Sequence, residues 1–209
     1  MGRFHIKALA DPRIEIPDGR FDAIIFDCDG TLVDTMPLHY AAWSESLRIH
    51  NAPYAFTEDL FYELAGVREQ DVVRQLNEEY SVAIDPDSVA EVKMGIFMET
   101  LHRVRPVEPV ASLARASAAS EIPVAVASGS EEPTVRSCLD TTGLLHLFEV
   151  IITPRLVARG KPAPDMFLLA AERLGVEPGR CLVLEDGHSG MIAAREAGME
   201  AVFIPRTLR

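Results

Sequence analysis

Two carboxylates one residue apart, Asp27 and Asp29, follow the apolar run Ala23-Ile24-Ile25-Phe26 and precede Gly30-Thr31. Anions this close repel one another, and a bound dication is the simplest relief. One such carboxylate can attack phosphorus while the other moves a proton. Other clusters have a related character. Ser128-Gly129-Ser130 follows the run Ile122 to Ala127. Glu185-Asp186-Gly187 follows Cys181-Leu182-Val183-Leu184, and Lys161 stands between Gly160 and Pro162 ahead of Ala163-Pro164-Asp165. Hydroxyls and backbone N–H groups suit phosphate oxygens, and an ammonium offsets charge on a transferring group. Acidic side chains are hard oxygen ligands. Taken singly, each has an ordinary explanation. Asp-Gly marks a turn, a serine ahead of a helix is a favoured N-cap, and a loop lysine is a solvated charge.

Positioning these groups requires strands that end together. The run at 23–26 is too short for a helix and rich in β-branched and aromatic residues, so it reads as a buried strand. Alternation then starts Asp27 and Asp29 on the same side of the chain, with Cys28 opposite. Further strands are expected at 122–127, with Pro123 tolerated at its start, and at 148–152, 181–184 and 201–204. Helices are expected at 110–119, 131–142, 164–174 and 189–197. Strands alternating with helices predict an α/β fold, a doubly wound parallel Rossmann-like sheet. Ligands bind outside the carboxyl ends of such strands, where the polar clusters fall.

Residues 51–105 hold no convincing strand. A helix from Pro37 to about His50, which Thr35 can cap, is followed by helices at 57–64, 68–80 and 85–103. The expected division is a core of 1–36 and 106–209 with an all-helical insert at 37–105. Residues 1–20, broken by Pro12, Pro17 and Gly19, read as an extended lead-in.

The formal net charge of −12 argues against a nucleic-acid partner. It also requires a locally positive cleft if the substrate is an anion. No apolar stretch approaches the ~20 residues that span a bilayer, and the first residues lack a signal-type hydrophobic segment. A cytoplasmic monomer with no membrane partner is expected. Cys28, Cys138 and Cys181 lie far apart without metal-ligand spacing, so Cys28 and Cys181 are expected to be buried thiols.

The nonamer Phe26 to Asp34 resembles the first motif of the haloacid dehalogenase-like superfamily, Asp-x-Asp-x-Thr after a hydrophobic strand. The serine cluster, the Lys161-Pro-Ala-Pro-Asp string and Glu185-Asp186 resemble its later motifs in order, and the resemblance covers essentially the whole chain. It implies Mg2+ held by Asp27, Asp186 and the backbone carbonyl of Asp29. Asp27 is then the nucleophile that forms an aspartyl-phosphate, and Asp29 the acid and base. Ser128, with Gly129 and Ser130, holds the phosphate. Lys161 neutralises charge, and Glu185 orients Lys161 or a metal-bound water. The family often has Ser where this chain has Gly187. The insert matches a cap domain with hinges near Thr35–Pro37 and Val104–Pro106. Leu64-Ala65-Gly66-Val67-Arg68 resembles the substrate-reading loop of the β-phosphoglucomutase-like branch, which implies that Arg68 contacts substrate. A solvated first-turn arginine is the rival reading. His39 and Trp43 resemble that branch's His-x-x-x-Trp pattern, against a helix-surface histidine.

The expected activity is Mg2+-dependent hydrolysis of a small phosphorylated metabolite, a sugar monophosphate. The alternative is a phosphomutase of the β-phosphoglucomutase type; a third reading is a non-catalytic binding or regulatory protein on the same scaffold. Dehalogenase relatives lack the second aspartate, which Asp29 supplies. In the mutase family a Lys-Asn pair follows the second motif. Here Glu131 and Glu132 occupy those positions, and two repelling anions would hold a second phosphate poorly. Ser130-Glu131 and the run at 167–175 resemble fructose-1-phosphatase-type relatives.

Overall fold

The apolar runs form a five-stranded sheet in a computed structural model of the chain, which describes residues 6–209. The strands are β1 (Ala23–Phe26), β2 (Val124–Ala127), β3 (Val150–Ile152), β4 (Cys181–Glu185) and β5 (Glu200–Phe203). All pair in parallel, in the order β3-β2-β1-β4-β5. The order reverses at β1, so the crevice beside its carboxyl end is the switch point at which open α/β sheets bind ligands. β1, β2 and β4 are buried along their whole length, as interior strands of a parallel sheet must be.

The chain's helices in order are α1 (Ile6–Leu9), α2 (Met36–Ile49), α3 (Glu58–Glu63), α4 (Glu69–Tyr80), α5 (Pro86–Glu99), α6 (Glu108–Ala119), α7 (Glu132–Thr141), α8 (Asp165–Leu174) and α9 (His188–Glu196). On one sheet face Ala23, Ile25, Ala125, Ala127, Ile152 and Val183 pack with Met166, Phe167 and Ala170 of α8 and Ala193 and Ala194 of α9. The alanines let both helices lie close to the strands. The other face buries Ile24, Phe26, Val126, Leu182 and Leu184. There Phe26 meets Phe148 edge-on, ring centroids 6.0 Å apart.

Two compact units emerge. One comprises the chain up to Asp34 and Val104–Arg209; the other is Thr35–Arg103. In the first, the outgoing and returning segments run side by side. Asp34 N–H donates to Arg105 O at 2.8 Å and Val107 N–H to Leu32 O at 2.9 Å. The second unit is α2 to α5 around its own core of Trp43, Leu47, Phe61, Val73, Leu76 and Val89.

Local chemistry moves several element ends from their expected places. The helix expected to reach 103 stops at Glu99, because Thr100 Oγ1 donates to Phe97 O at 2.7 Å and a 3-10 turn, Leu101–Arg103, follows. Helix α6 begins at Glu108, with Pro109 in its first turn, where no N–H is needed. Thr35 stands at the N-cap of α2 with helical φ and ψ and makes no capping bond. Thr57 caps α3 through Leu60 N–H at 3.2 Å, and Asp85 caps α5 through Asp87 N–H at 3.1 Å. The extended lead-in contains the short helix α1, and Ile14 and Ile16 are buried after it; its first five residues lie outside the described ones. All three cysteines are free and buried. No helix among the described residues is long and apolar enough to cross a membrane.

Candidate active site

The loop after β1 is wound on one carbonyl. Asp27 N–H still donates to Leu184 O of β4, at 2.9 Å, so the first carboxylate is fixed by sheet pairing. The N–H groups of Thr31, Leu32 and Val33 then converge on Cys28 O at 3.0–3.3 Å. Gly30 turns the chain with φ of +83°, a region that costs glycine little. The two carboxylates start together but diverge in their partners. Asp27 turns to Lys161, while Asp29 Oδ2 accepts from Ser130 Oγ at 2.7 Å and Ser128 Oγ at 3.3 Å.

Lys161 Nζ lies 2.6 Å from Asp27 Oδ1 and 2.7 Å from Glu185 Oε2, with all these side chains under a tenth exposed. Burial works against the ammonium, but Asp27 and Glu185 outweigh it and push its pKa up, so it stays charged. Burial, and then the Glu185 charge, hold Asp27 well above the usual carboxylate range, with Lys161 opposing. Asp186 is pushed up to about 7, chiefly by burial and by Glu185, with Arg209 opposing.

Asp27, Glu185 and Asp186 each offer an oxygen within 4.8 Å of the others. Both Glu185 oxygens are engaged, Oε2 by Lys161 and Oε1 by Gly187 N–H at 2.9 Å. Asp27 and Asp186 are the pair expected to hold a divalent ion, and Asp186 is itself engaged, Oδ1 by Thr31 and Oδ2 by Arg209. The donor set fits: these are hard oxygens, the acids outnumber the neighbouring cations Lys161 and Arg209, and Asp186 already carries a cationic partner in Arg209.

Ser128 is buried at the end of β2 and is not a helix cap. Its Oγ accepts from Ser130 N–H at 3.1 Å, and Glu131, three residues on, is the N-cap of α7. The helix starts where expected, within a residue of 131, and the serine loop ahead of it closes on itself and on Asp29. Gly129 is exposed, and a Cβ there would touch nothing within 4 Å. The repulsion expected between Glu131 and Glu132 is relieved. Glu131 pairs with Arg155 at 2.7 Å and Glu132 with Arg136 at 2.8 Å, all on the surface. A Cβ on Gly187 would stand 3.1 Å from Glu185 Oε1, so glycine gives this acid room.

The family model for a haloacid dehalogenase-like hydrolase matches residues 21–198. The chain belongs to this family. Among its haloacid dehalogenase-like relatives, the fructose-1-phosphate phosphatase YqaB of Escherichia coli is 36% identical over 88% of this chain and 96% of its own length. A phosphorylated carbohydrates phosphatase of Thermotoga maritima is 32% identical over 87% of this chain and 84% of its own. Among solved structures of the same fold, CbbY from Rhodobacter sphaeroides in complex with phosphate superposes with a TM-score of 0.79 at 26% identity, covering 88% of this chain and 86% of that one. With this family and these phosphatase relatives, the chain is a phosphoric monoester hydrolase.

In the helical unit, His39 is buried and not on the helix surface. It stacks on Phe97 with ring centroids 3.9 Å apart and planes 7° from parallel. Arg68 is exposed at the N-cap of α4, one position before the first turn. Sequence reading passed over Lys93 of α5, which is buried, bonded to Glu69 Oε1 at 2.5 Å and 5.9 Å from the Trp43 ring centroid. It also passed over Gly190 and Arg209 in the other unit. A glycine in the first turn of α9 is a legible oddity, since glycine costs a helix about 0.5–1 kcal/mol relative to alanine. Arg209 carries no local signal.

Proposed function

We propose that this protein is a Mg2+-dependent phosphatase of sugar monophosphates that works through an aspartyl-phosphate on Asp27. The observation that carries the reading is Asp27, buried at the sheet's switch point 2.6 Å from Lys161, with Asp29 held separately by Ser128 and Ser130. The identity to a phosphatase named for fructose 1-phosphate supports the substrate class.

An Asp27 oxygen forms a bond to phosphorus as the bond from phosphorus to the sugar oxygen breaks. Asp29, protonated at that moment, gives its proton to the leaving oxygen. It then takes a proton from the water that attacks phosphorus, and the bond to Asp27 breaks to release phosphate. The serines keep Asp29 aimed while its charge changes. Lys161 faces the negative charge that gathers on the transferring group, and Glu185 keeps Lys161 in place. A divalent ion held by Asp27, Asp186 and the carbonyl of Asp29 would add Lewis-acid neutralisation of the phosphoryl oxygens. Thr35–Arg103 acts as the cap that excludes water, with His39 and Arg68 as its substrate-reading residues.

Hydrolysis is favoured over mutase chemistry because positions 131 and 132 carry glutamates, each already satisfied by an arginine. Neither offers a cation to a second phosphate.

The test is phosphate release from p-nitrophenyl phosphate and a sugar-phosphate panel, with Mg2+ and with EDTA. Metal-dependent release, with fructose 1-phosphate among the better substrates, is expected. No metal-dependent release from any compound would overturn the reading. Faster conversion of β-glucose 1-phosphate to glucose 6-phosphate, stimulated by the bisphosphate, would replace it with the mutase.

A further inference from the structure

Arg209 reaches into the acidic end of the site from the far side of the sheet order. It follows the 3-10 turn Arg206–Leu208, which comes after β5 and is anchored by buried Leu208. Its Nη2 donates to Asp186 Oδ2, and its Nε donates to Gly30 O at 3.0 Å. The side chains of Arg209 and Asp186 are 7% and 8% exposed. Thr31 Oγ1 donates to the other Asp186 oxygen, Oδ1, at 3.3 Å. Space for this contact exists because residue 30 is glycine. A Cβ there would fall 2.8 Å from Arg209 Nη2 and 2.2 Å from Asp186 Oδ2.

The guanidinium thus bridges the carboxylate expected to bind metal and the backbone beside the second aspartate. A planar fork suits such a bridge, and a point charge on a lysine does not. A dication bound by Asp186 would place two cations on one carboxylate, which repel. Turning away from Asp186 would also cost the guanidinium its bond to Gly30 O.

We propose that Arg209 is a positioning residue that acts through Asp186. It holds this carboxylate in place while no metal is bound and gives it up when a divalent cation enters. This rests on the reading of Asp27 and Asp186 as the metal pair. Metal binding is then an exchange of cations, and the protein's Mg2+ affinity is lower than its oxygen ligands alone would set.

The test titrates Mg2+ alone, by calorimetry, into the wild type, Arg209→Ala and Arg209→Lys, and records Tm in EDTA and in saturating Mg2+. Competition predicts that Arg209→Ala binds Mg2+ about 5-fold or more tightly, with Arg209→Lys between. Arg209→Ala should lose Tm in EDTA and recover it in Mg2+. A merely structural arginine would lower Tm in both conditions and leave the affinity unchanged. In the wild type, the Arg209 Nε–H resonance should be protected in EDTA and lose protection as Mg2+ saturates, a readout that needs no substitution. Equal or weaker Mg2+ binding by Arg209→Ala, or a resonance indifferent to Mg2+, would overturn the proposal while turnover and metal binding left the proposed function standing. A wild type that bound no Mg2+ and released no phosphate would remove both.

Discussion

A side chain on residue 190 and the Glu185 carboxylate cannot share the space they now occupy: a Cβ on Gly190 would lie 2.0 Å from Glu185 Oε2. The same oxygen accepts from Lys161 at 2.7 Å. A glycine in the first turn of α9 therefore determines where the lysine beside Asp27 stands.

Gly190→Ala is accordingly expected to break a helix rule in the unfavourable direction. Alanine should favour the helix by about 0.5–1 kcal/mol, yet Glu185 must move and Lys161 with it. Misplacement of a positioned charge by about 1 Å costs roughly 10²-fold in rate. Steady-state kinetics should show kcat falling on this scale, and Tm should fall rather than rise. Unchanged kcat would mean that the Glu185–Lys161 geometry is not needed.

Removing the lysine charge should strand buried acids. Lys161→Met leaves Asp27 and Glu185 with no ammonium between them, and breaking such a buried pair costs about 3–5 kcal/mol. Denaturant unfolding at neutral pH measures the loss. It should shrink in acid, where the acids become neutral.

Asp29→Asn removes the acid and base, so turnover should fall by about 10²–10⁴-fold with the fold intact. Ser130→Ala should cost less, because Ser128 Oγ still donates to Asp29 at 3.3 Å. The double serine variant should approach the Asp29→Asn value. A Ser130→Ala loss as large as that of Asp29→Asn would assign the serine a direct role with phosphate.

The pH dependence of the metal-free protein follows from Asp186, whose folded pKa is raised from 3.8 to about 7. Between these values the folded state binds a proton that the unfolded chain does not. Stability is then fully present below the unfolded pKa and falls as pH rises through about 7. Tm scans in EDTA from pH 4 to pH 8 should descend. Mg2+ should reduce the descent, because it binds the deprotonated acid. A Tm in EDTA that rose over this range would contradict the assignment.

Replacing Glu131 and Glu132 with Lys and Asn should improve binding of a sugar bisphosphate. The change adds a cation and releases Arg155 from its 2.7 Å pair with Glu131. Competitive inhibition by glucose 1,6-bisphosphate reads this directly, as a fall in the inhibition constant. No change would show that these positions do not face the second phosphate.

The amino-acid sequence determined the strands, because a parallel sheet buries both faces and its strands read as continuous apolar runs. It also carried Asp27, Asp29, Ser128, Lys161, Glu185 and Asp186, since each sits at a strand end or a helix approach within a short local pattern. Tertiary structure alone decided which of these groups touch. The hydroxyls of Ser128 and Ser130 meet Asp29, which lies in the loop after β1, far away in sequence. Glu185 lies against Gly190 because β4 turns directly into α9. Arg209 reaches Asp186 because β5 pairs with β4 and delivers the following turn to the same sheet edge. Local propensities act over a few residues, whereas these contacts join segments that only the order β3-β2-β1-β4-β5 makes neighbours.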